Sequence, residues 1–250
     1  KILRDPFNGQ KDLQKKQIVA VGDATERFQE DALRMMRAIR FATVFDFKIE
    51  EKTLRAITRH APLIKMIAKE RIRDEFVKII ESKSAYSGIH LLKDTGLLQI
   101  FLPELTRGIG VGQNKHHIYT VWEHNLLALQ YAVKNNWSLE VRLASLLHDV
   151  GKPRVKEGEG KDSTFYAHEV VGAKMARQIL SRLKFSKQQV EKIAKLVRYH
   201  LFYYNVDEVS ESSVRRLVRK VGKEDVEELL QLRMADRIGS GVPKAEPYKL

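Results

Sequence analysis

The sequence predicts a mainly α-helical protein with a short β segment at its start, and three observations carry that expectation. From Glu26 onward, apolar residues recur three and four apart in one segment after another. Only QIVAV, at residues 17–21, reads as a convincing strand, with KILRD as a second candidate. At 250 residues and 43% hydrophobic, the chain can bury a sizeable core in one large or two small domains.

Residues 1 to 22 differ from the rest of the chain, because DPFNG supplies Pro and Gly turn chemistry ahead of the short β-rich run. A strand needs partners for its backbone groups, so these residues read as the end of a small sheet inside a larger α/β domain. The helical pattern then runs through ERFQEDALRMMRAIRFATVF, EKTLRAITRHA, ERIRDEFVKIIES and AYSGIHLLKDTGLLQIFLPEL, punctuated by Pro62 and Pro103. RGIGVGQNKHH, with three glycines, is the best linker and places a boundary near residue 110. Beyond it, helices are expected around 120–134, 138–149, 167–183, 186–201 and 210–235, with VKEGEGKDST as a surface loop.

Composition narrows the function. Lys and Arg total 45 against 32 acidic residues, a net charge of +13, which favours phosphate-rich partners. The absence of cysteine excludes a disulfide scaffold, a thiol nucleophile and thiolate metal sites, so any metal must be held by His, Asp or Glu. No stretch approaches the roughly 18 uninterrupted apolar residues of a membrane span. A cytoplasmic protein is the expectation.

The richest chemistry lies in the second half. His124 sits in TVWEHNLLAL; the apolar run ASLL ends in His148 and Asp149 before Gly-Lys-Pro; His168 follows in FYAHEVVGAK, His200 in LVRYH and Asp236 in RMADRIG. Imidazole and carboxylate at the rim of a core suit a hard or borderline divalent ion. His60, His90 and His116 read instead as ordinary core histidines with hydrogen-bond partners.

This order resembles the HD-domain metal phosphohydrolases over residues 116 to 240. The resemblance implies that His124, His148, Asp149 and Asp236 bind one divalent cation, which Mg, Mn, Ni, Co and Fe could all satisfy. It further implies a phosphoester site made by Lys152, His168 and His200: Lys152 places charge on a phosphate oxygen, while the two histidines complete a second metal site or hold the phosphate. Ala167 stands where the family often has Gly, a change expected to narrow the pocket.

In the first half, helical spacing would align Asp31, Arg34, Arg37 and Arg40 as one polar stripe beside Leu33, Met36 and Ile39. Such a stripe could pair a carboxylate and a guanidinium fork with a base edge and reach phosphates with the rest, or form an ordinary solvated face. DPFNGQKDLQKK, VAVGDATERFQEDALRMMRAIRFA, ERIRDEF and GIHLLKDTGLLQIFLPEL together are similar to the class II tRNA nucleotidyltransferases and bacterial poly(A) polymerases, many of which carry an HD domain next.

That resemblance implies three parts: the end of a nucleotidyltransferase head (1–25), a neck and body that bind nucleotide and RNA (26–110), and an HD domain (111–250). It assigns base recognition of CTP or ATP to Asp31 and Arg34, further nucleotide contacts to Arg37 and Arg40, and a bracing role to Glu70 and Arg71. The family usually has Pro at Ala32, which should soften helix initiation here without removing a contact.

Nucleotidyl transfer also needs two Mg-binding carboxylates beside a Gly-Ser loop, placed by the family upstream of DPFNG. No Gly-Ser followed by Asp-x-Asp occurs in the sequence, nor does RRDxT, so the chain reads as part of a longer CCA-adding type enzyme. A stand-alone HD phosphohydrolase and a non-catalytic tRNA-binding scaffold are the alternatives. Arg71 with Arg73, Lys187 with Lys192, and SSVRRLVRKVGK are candidate tRNA contacts, with Tyr203 and Tyr204 placed to stack on a base.

Overall fold

The computed structural model describes residues 4–114, 118–202 and 209–241. The chain is mainly α-helical and divides into two compact units, Lys1–Thr106 and Arg107–Leu250. His116, Tyr203 and Tyr204 lie outside the described residues.

In the first unit, α1 (Gly9–Gln14) leads into β1 (Gln17–Ile18), and α2 (Ala24–Glu30) and α3 (Leu33–Phe45) lead into β2 (Lys48–Ile49). The two strands pair in parallel, Gln17 opposite Lys48 and Ile18 opposite Ile49. A parallel pair needs a crossover, and α2 with α3 supplies it. The partner strand is therefore Lys48–Ile49 and not KILRD, of which the described Arg4 and Asp5 form no strand. The expected strand also stops early, since only Gln17 and Ile18 of QIVAV pair.

The unit continues through α4 (Glu51–His60), a 3-10 turn at Ala61–Met66 that holds Pro62, α5 (Lys69–Glu81), α6 (Ala85–Asp94), α7 (Leu97–Phe101) and α8 (Pro103–Thr106). Its core forms where α3 packs on α5 and α6, burying Met35, Met36, Ile39, Phe76, Ile79 and Ile89. Phe76 meets Phe101 edge to face at 5.5 Å between ring centres.

The expected continuous helix through Asp31 is broken. Asp31 closes α2 in an extended conformation (φ −148°, ψ 101°), and its Oδ1 accepts from the Leu33 backbone N–H at 3.0 Å to start α3. Asp31 thus acts as a helix start signal whose capping bond outweighs the periodic pattern running through it. Ala32 has φ −61°, a value that proline also adopts.

The second unit holds α9 (Val121–Lys134), α10 (Leu139–Leu147), α11 (Lys152–Val155), α12 (His168–Arg182), α13 (Lys187–Tyr199), α14 (Glu211–Val221) and α15 (Val226–Gly239). Helix α10 is central: every residue from Val141 to Leu147 is buried, and it packs against α9, α13 and α15. A helix apolar on most of its circumference has no solvent face to present. The helix expected over 210–235 is two, and AYSGIHLLKDTGLLQIF likewise splits into α6 and α7. Both breaks fall at glycines with positive φ, Gly222 at 92° and Gly96 at 76°.

Candidate functional site

In the second unit, side chains from three helices and from the ends of two more converge on a single buried point. His124 projects from α9, His148 and Asp149 leave the end of α10, His168 opens α12, His200 ends α13, and Asp236 sits on α15. None is more than 7% exposed.

His124 Nε2 lies 2.8 Å from His148 Nε2, 3.2 Å from Asp149 Oδ2 and 3.2 Å from Asp236 Oδ1. His148 Nε2 stands 3.4 Å from Asp149 Oδ2 and 3.6 Å from Asp236 Oδ1. Two ligands about 2.1 Å from one ion and at right angles to each other lie roughly 3.0 Å apart, so this spacing fits four donors around one divalent ion. The other Asp149 oxygen, Oδ1, faces His168 Nε2 at 3.2 Å and His200 Nε2 at 3.7 Å. The donors thus form two adjoining triads, His124–His148–Asp236 and Asp149–His168–His200, with the Asp149 carboxylate spanning them.

Local hydrogen bonding sets the ring orientations. Nδ1 of His148, His168 and His200 each meets the carbonyl oxygen three residues earlier, that of Ser145, Phe165 and Val197, at 2.7–2.8 Å. A carbonyl only accepts, so each Nδ1 carries a proton and each Nε2 is the ring nitrogen turned to the centre. Close packing makes the convergence possible. A methyl group on Gly151 would come within 2.4 Å of the His168 carbonyl oxygen, so only glycine lets the turn after Asp149 rest on the start of α12.

Burial alone would make the Asp149 carboxyl harder to ionise, yet the Lys152 ammonium and neighbouring imidazoles hold it well below the usual carboxylate range. Asp236 follows the same balance through His124 and His148. Burial would likewise lower the His124 pKa, but the Asp149 and Asp236 carboxylates carry it up to about 9. His200 lacks an equally close carboxylate, and burial plus repulsion from His148 press it down to about 3. Burial also opposes the charged form of His168, and its bond to Asp149 outweighs that.

Lys152 Nζ sits 2.6 Å from Asp149 Oδ2, 2.6 Å from Gln113 Oε1 and 5.5 Å from the centre of the Phe165 ring. Gln113 lies in the segment that the sequence reads as a linker, and no spacing rule singles it out. Ala167 is exposed and left-handed at φ 58°. That conformation carries a backbone cost that glycine would not have.

The first unit carries a cleft of about 390 Å³ lined by Ile18, Ala20, Phe28, Phe41 and three arginines, Arg27, Arg34 and Arg37. The end of QIVAV beyond the paired strand, Val19 to Val21, forms one wall. Arg34 and Arg37 therefore reach one cavity, and Arg27 joins them from α2, outside the three-residue spacing that drew attention to the others. Arg34 Nη1 bonds the Arg27 carbonyl at 3.2 Å and Glu30 at 2.6 Å.

Asp31 and Arg40 do not line that cleft. Arg40 Nε lies 3.2 Å from Glu75 Oε2 beneath the helix, with 15% and 9% of the two side chains exposed. Asp31 Oδ2 accepts from Arg71 Nη2 at 2.8 Å, so Arg71 braces the α2–α3 break, while Glu70 is exposed. Of the basic clusters, Arg73 pairs with Asp74 and Lys192 with Asp225 and Glu228. Arg216, Arg219 and Lys220 on α14 are exposed. His60 shares a 3.3 Å contact with Thr25 Oγ1, and His90 packs on Tyr86.

An all-α unit built around two adjoining His/Asp triads defines an HD-type metal domain, here following a helical body with an arginine-lined cleft. Residues 121–240 match the HD domain family, and residues 46–109 match the family described as "Probable RNA and SrmB- binding site of polymerase A". Over 97% of its length the chain is 35% identical to the A-adding tRNA nucleotidyltransferase of Deinococcus radiodurans, and over 96% it is 33% identical to the CC-adding tRNA nucleotidyltransferase of Thermus thermophilus. It spans 57% and 56% of those two relatives. The fold is also that of the Bacillus stearothermophilus CCA-adding enzyme solved with CTP, at a TM-score of 0.62 and 23% identity over 96% of this chain and 50% of that one. The chain thus carries the polymerase A RNA-binding region and an HD domain, and over nearly all its length it is similar to tRNA nucleotidyltransferases. Among the described residues, no helix is long and apolar enough to cross a membrane.

Proposed function

We propose that this chain is the nucleotide-selecting, RNA-holding and HD part of a cytoplasmic tRNA nucleotidyltransferase of the CCA-adding type, which adds CMP and AMP to a tRNA 3′ end and releases pyrophosphate. The observation that carries the reading is the cleft where Arg27, Arg34 and Arg37 share one cavity with Phe28 and Phe41. Guanidinium groups offer the planar donor pairs that base edges and phosphates accept, and the aromatic rings offer apolar cover. In this reading Asp31 lies just outside the cleft, and its carboxyl, bonded to the Leu33 N–H and to Arg71, fixes the α2–α3 break beside Arg34. Arg37 reaches phosphate, and Arg40 keeps α3 seated through Glu75. The polymerising carboxylates and their Mg lie outside these residues. Exposed Arg216, Arg219 and Lys220 are the basic face offered to tRNA phosphates.

For the HD centre the reading is phosphoester hydrolysis. His124, His148, Asp149 and Asp236 would hold a divalent ion, which would supply Lewis-acid chemistry for a water and a phosphorus centre. Lys152 directs its charge at a phosphate oxygen. His200, neutral with its Nε2 lone pair facing Asp149, suits a second ion better than a cationic phosphate clamp.

The test of the nucleotide reading is equilibrium binding of CTP, ATP, GTP and UTP to the chain and to Arg34→Ala. A preference for CTP and ATP that Arg34→Ala abolishes supports it, whereas binding that survives with unchanged base preference removes that helix from selection. The HD reading is tested with a 2′,3′-cyclic phosphate, whose hydrolysis should disappear in Asp149→Ala.

A further inference from the structure

Gln113 is only 8% exposed, and both ends of its amide are committed. Oε1 accepts from Lys152 Nζ at 2.6 Å, and Nε2 donates to the Tyr119 carbonyl at 3.1 Å. An ammonium can only donate and a carbonyl can only accept, so one orientation of the amide satisfies both neighbours. The backbone around it is anchored as well. The Gly108 carbonyl accepts from Trp122 N–H at 3.1 Å and the Val111 carbonyl from Val121 N–H at 2.9 Å, which fastens residues 108–111 to the first turn of α9. That turn leads directly to His124.

We propose that Gln113 is a positioning residue of the HD centre: its uncharged oxygen, with Asp149 Oδ2, holds the Lys152 ammonium at the edge of the metal donors so that it can meet a substrate phosphate. This rests on the metal-site reading of the HD unit and extends it to a segment outside the His and Asp motifs. The chemistry explains why an amide suits the position. Lys152 is 6% exposed, and a buried ammonium calls for acceptors for its N–H groups. A carboxylate at 113 would supply the acceptor and cancel the charge, leaving nothing to attract phosphate. An apolar side chain would keep the charge but leave the ammonium to Asp149 Oδ2, already bonded at 2.6 Å, with no neutral oxygen to share it.

The experiment uses two probes, Mn²⁺ and inorganic phosphate, with calorimetric titration of wild type, Gln113→Ala, Gln113→Glu, Lys152→Met and the Gln113→Ala/Lys152→Met double variant. Mn²⁺ affinity in Gln113→Ala should stay within about twofold of wild type, while phosphate affinity of the Mn²⁺-loaded protein falls about tenfold, the size of one lost charged hydrogen bond. Because Gln113 acts through Lys152, the double variant should bind phosphate no more weakly than Lys152→Met, a coupling that a purely structural residue would not show. Gln113→Glu keeps an acceptor for Lys152, so it tests the charge argument even if Gln113→Ala folds poorly, and it too should lose phosphate. Wild-type phosphate affinity in Gln113→Ala or Gln113→Glu, additive losses in the double variant, or a parallel loss of Mn²⁺ would each overturn the inference while leaving the metal site standing. A wild-type chain that binds neither Mn²⁺ nor phosphate would overturn the metal-site reading, and this inference with it.

Discussion

His124 Nε2 and His148 Nε2 approach within 2.8 Å across the packed faces of α9 and α10, 24 residues apart in the chain. Two imidazole nitrogens meet at that distance when both are aimed at a common third party. With no ion bound, a proton is that party, and the carboxylates of Asp149 and Asp236 keep it on His124 up to about pH 9. A metal must displace this proton, so apparent Mn²⁺ affinity should rise about tenfold per pH unit from pH 7 to 9. A pH-independent affinity over that range would remove the competition.

The same groups set the stability of the chelator-treated protein. The His124 pKa is raised in the fold, so its contribution is fully present below its unfolded value of 6.5 and is lost as pH climbs through about 9. The His200 pKa is depressed to about 3, so below pH 6.5 the unfolded chain takes up a proton that the fold refuses, and stability falls with pH there too. Thermal melts in chelator should therefore peak near neutral pH, and the peak should broaden toward alkaline pH once metal is added.

Arg37 and Arg40, one helical turn apart on α3, should fail differently. Arg37→Ala removes a cleft cation and should weaken CTP and ATP binding about tenfold with little change in melting temperature. Arg40→Ala takes the closer partner from the buried Glu75 carboxylate and leaves it Lys78 at 3.9 Å, at a cost of about 2 kcal/mol, and should leave the affinity of the folded protein close to wild type. Paired calorimetry and thermal melts separate the two outcomes, and an affinity loss in Arg40→Ala alone would reverse the assignment.

Ala167→Gly should stabilise the second unit by about 1 kcal/mol, because glycine adopts the left-handed conformation at φ 58° without the Cβ penalty. Denaturant melts would check it. Since the methyl group is exposed, Mn²⁺ affinity should not change.

Gly151→Ala makes the opposite case. Its new Cβ would press within 2.4 Å of the His168 carbonyl and 2.7 Å of the Gly172 nitrogen, both backbone atoms with no rotamer to yield. The turn must shift and carry Asp149 away from α12, costing about 2 kcal/mol and weakening Mn²⁺ binding. Retention of wild-type affinity would mean that the carboxylate is placed by something other than this contact.

Much of the protein was legible in the amino-acid order. Apolar periodicity identified the helical segments because a helix must bury one stripe wherever it finally packs, and the HD residues stood out because their types and order are uncommon. Hidden from that order were effects that depend on neighbours far along the chain. Asp31 interrupts a periodic run by capping α3 and meeting Arg71, 40 residues away. Arg40 shares the spacing of Arg34 and Arg37 but turns to Glu75, since α5 packs on that side of α3. Gln113 enters the HD centre from a stretch that glycine content marks as a linker, and Arg27 enters the cleft from another helix. A local pattern specifies which backbone hydrogen bonds form along a segment, because those partners lie within a few residues. Which cation faces a cavity and which is neutralised is decided only when distant helices close on one another, since charge and burial are properties of the assembled surroundings.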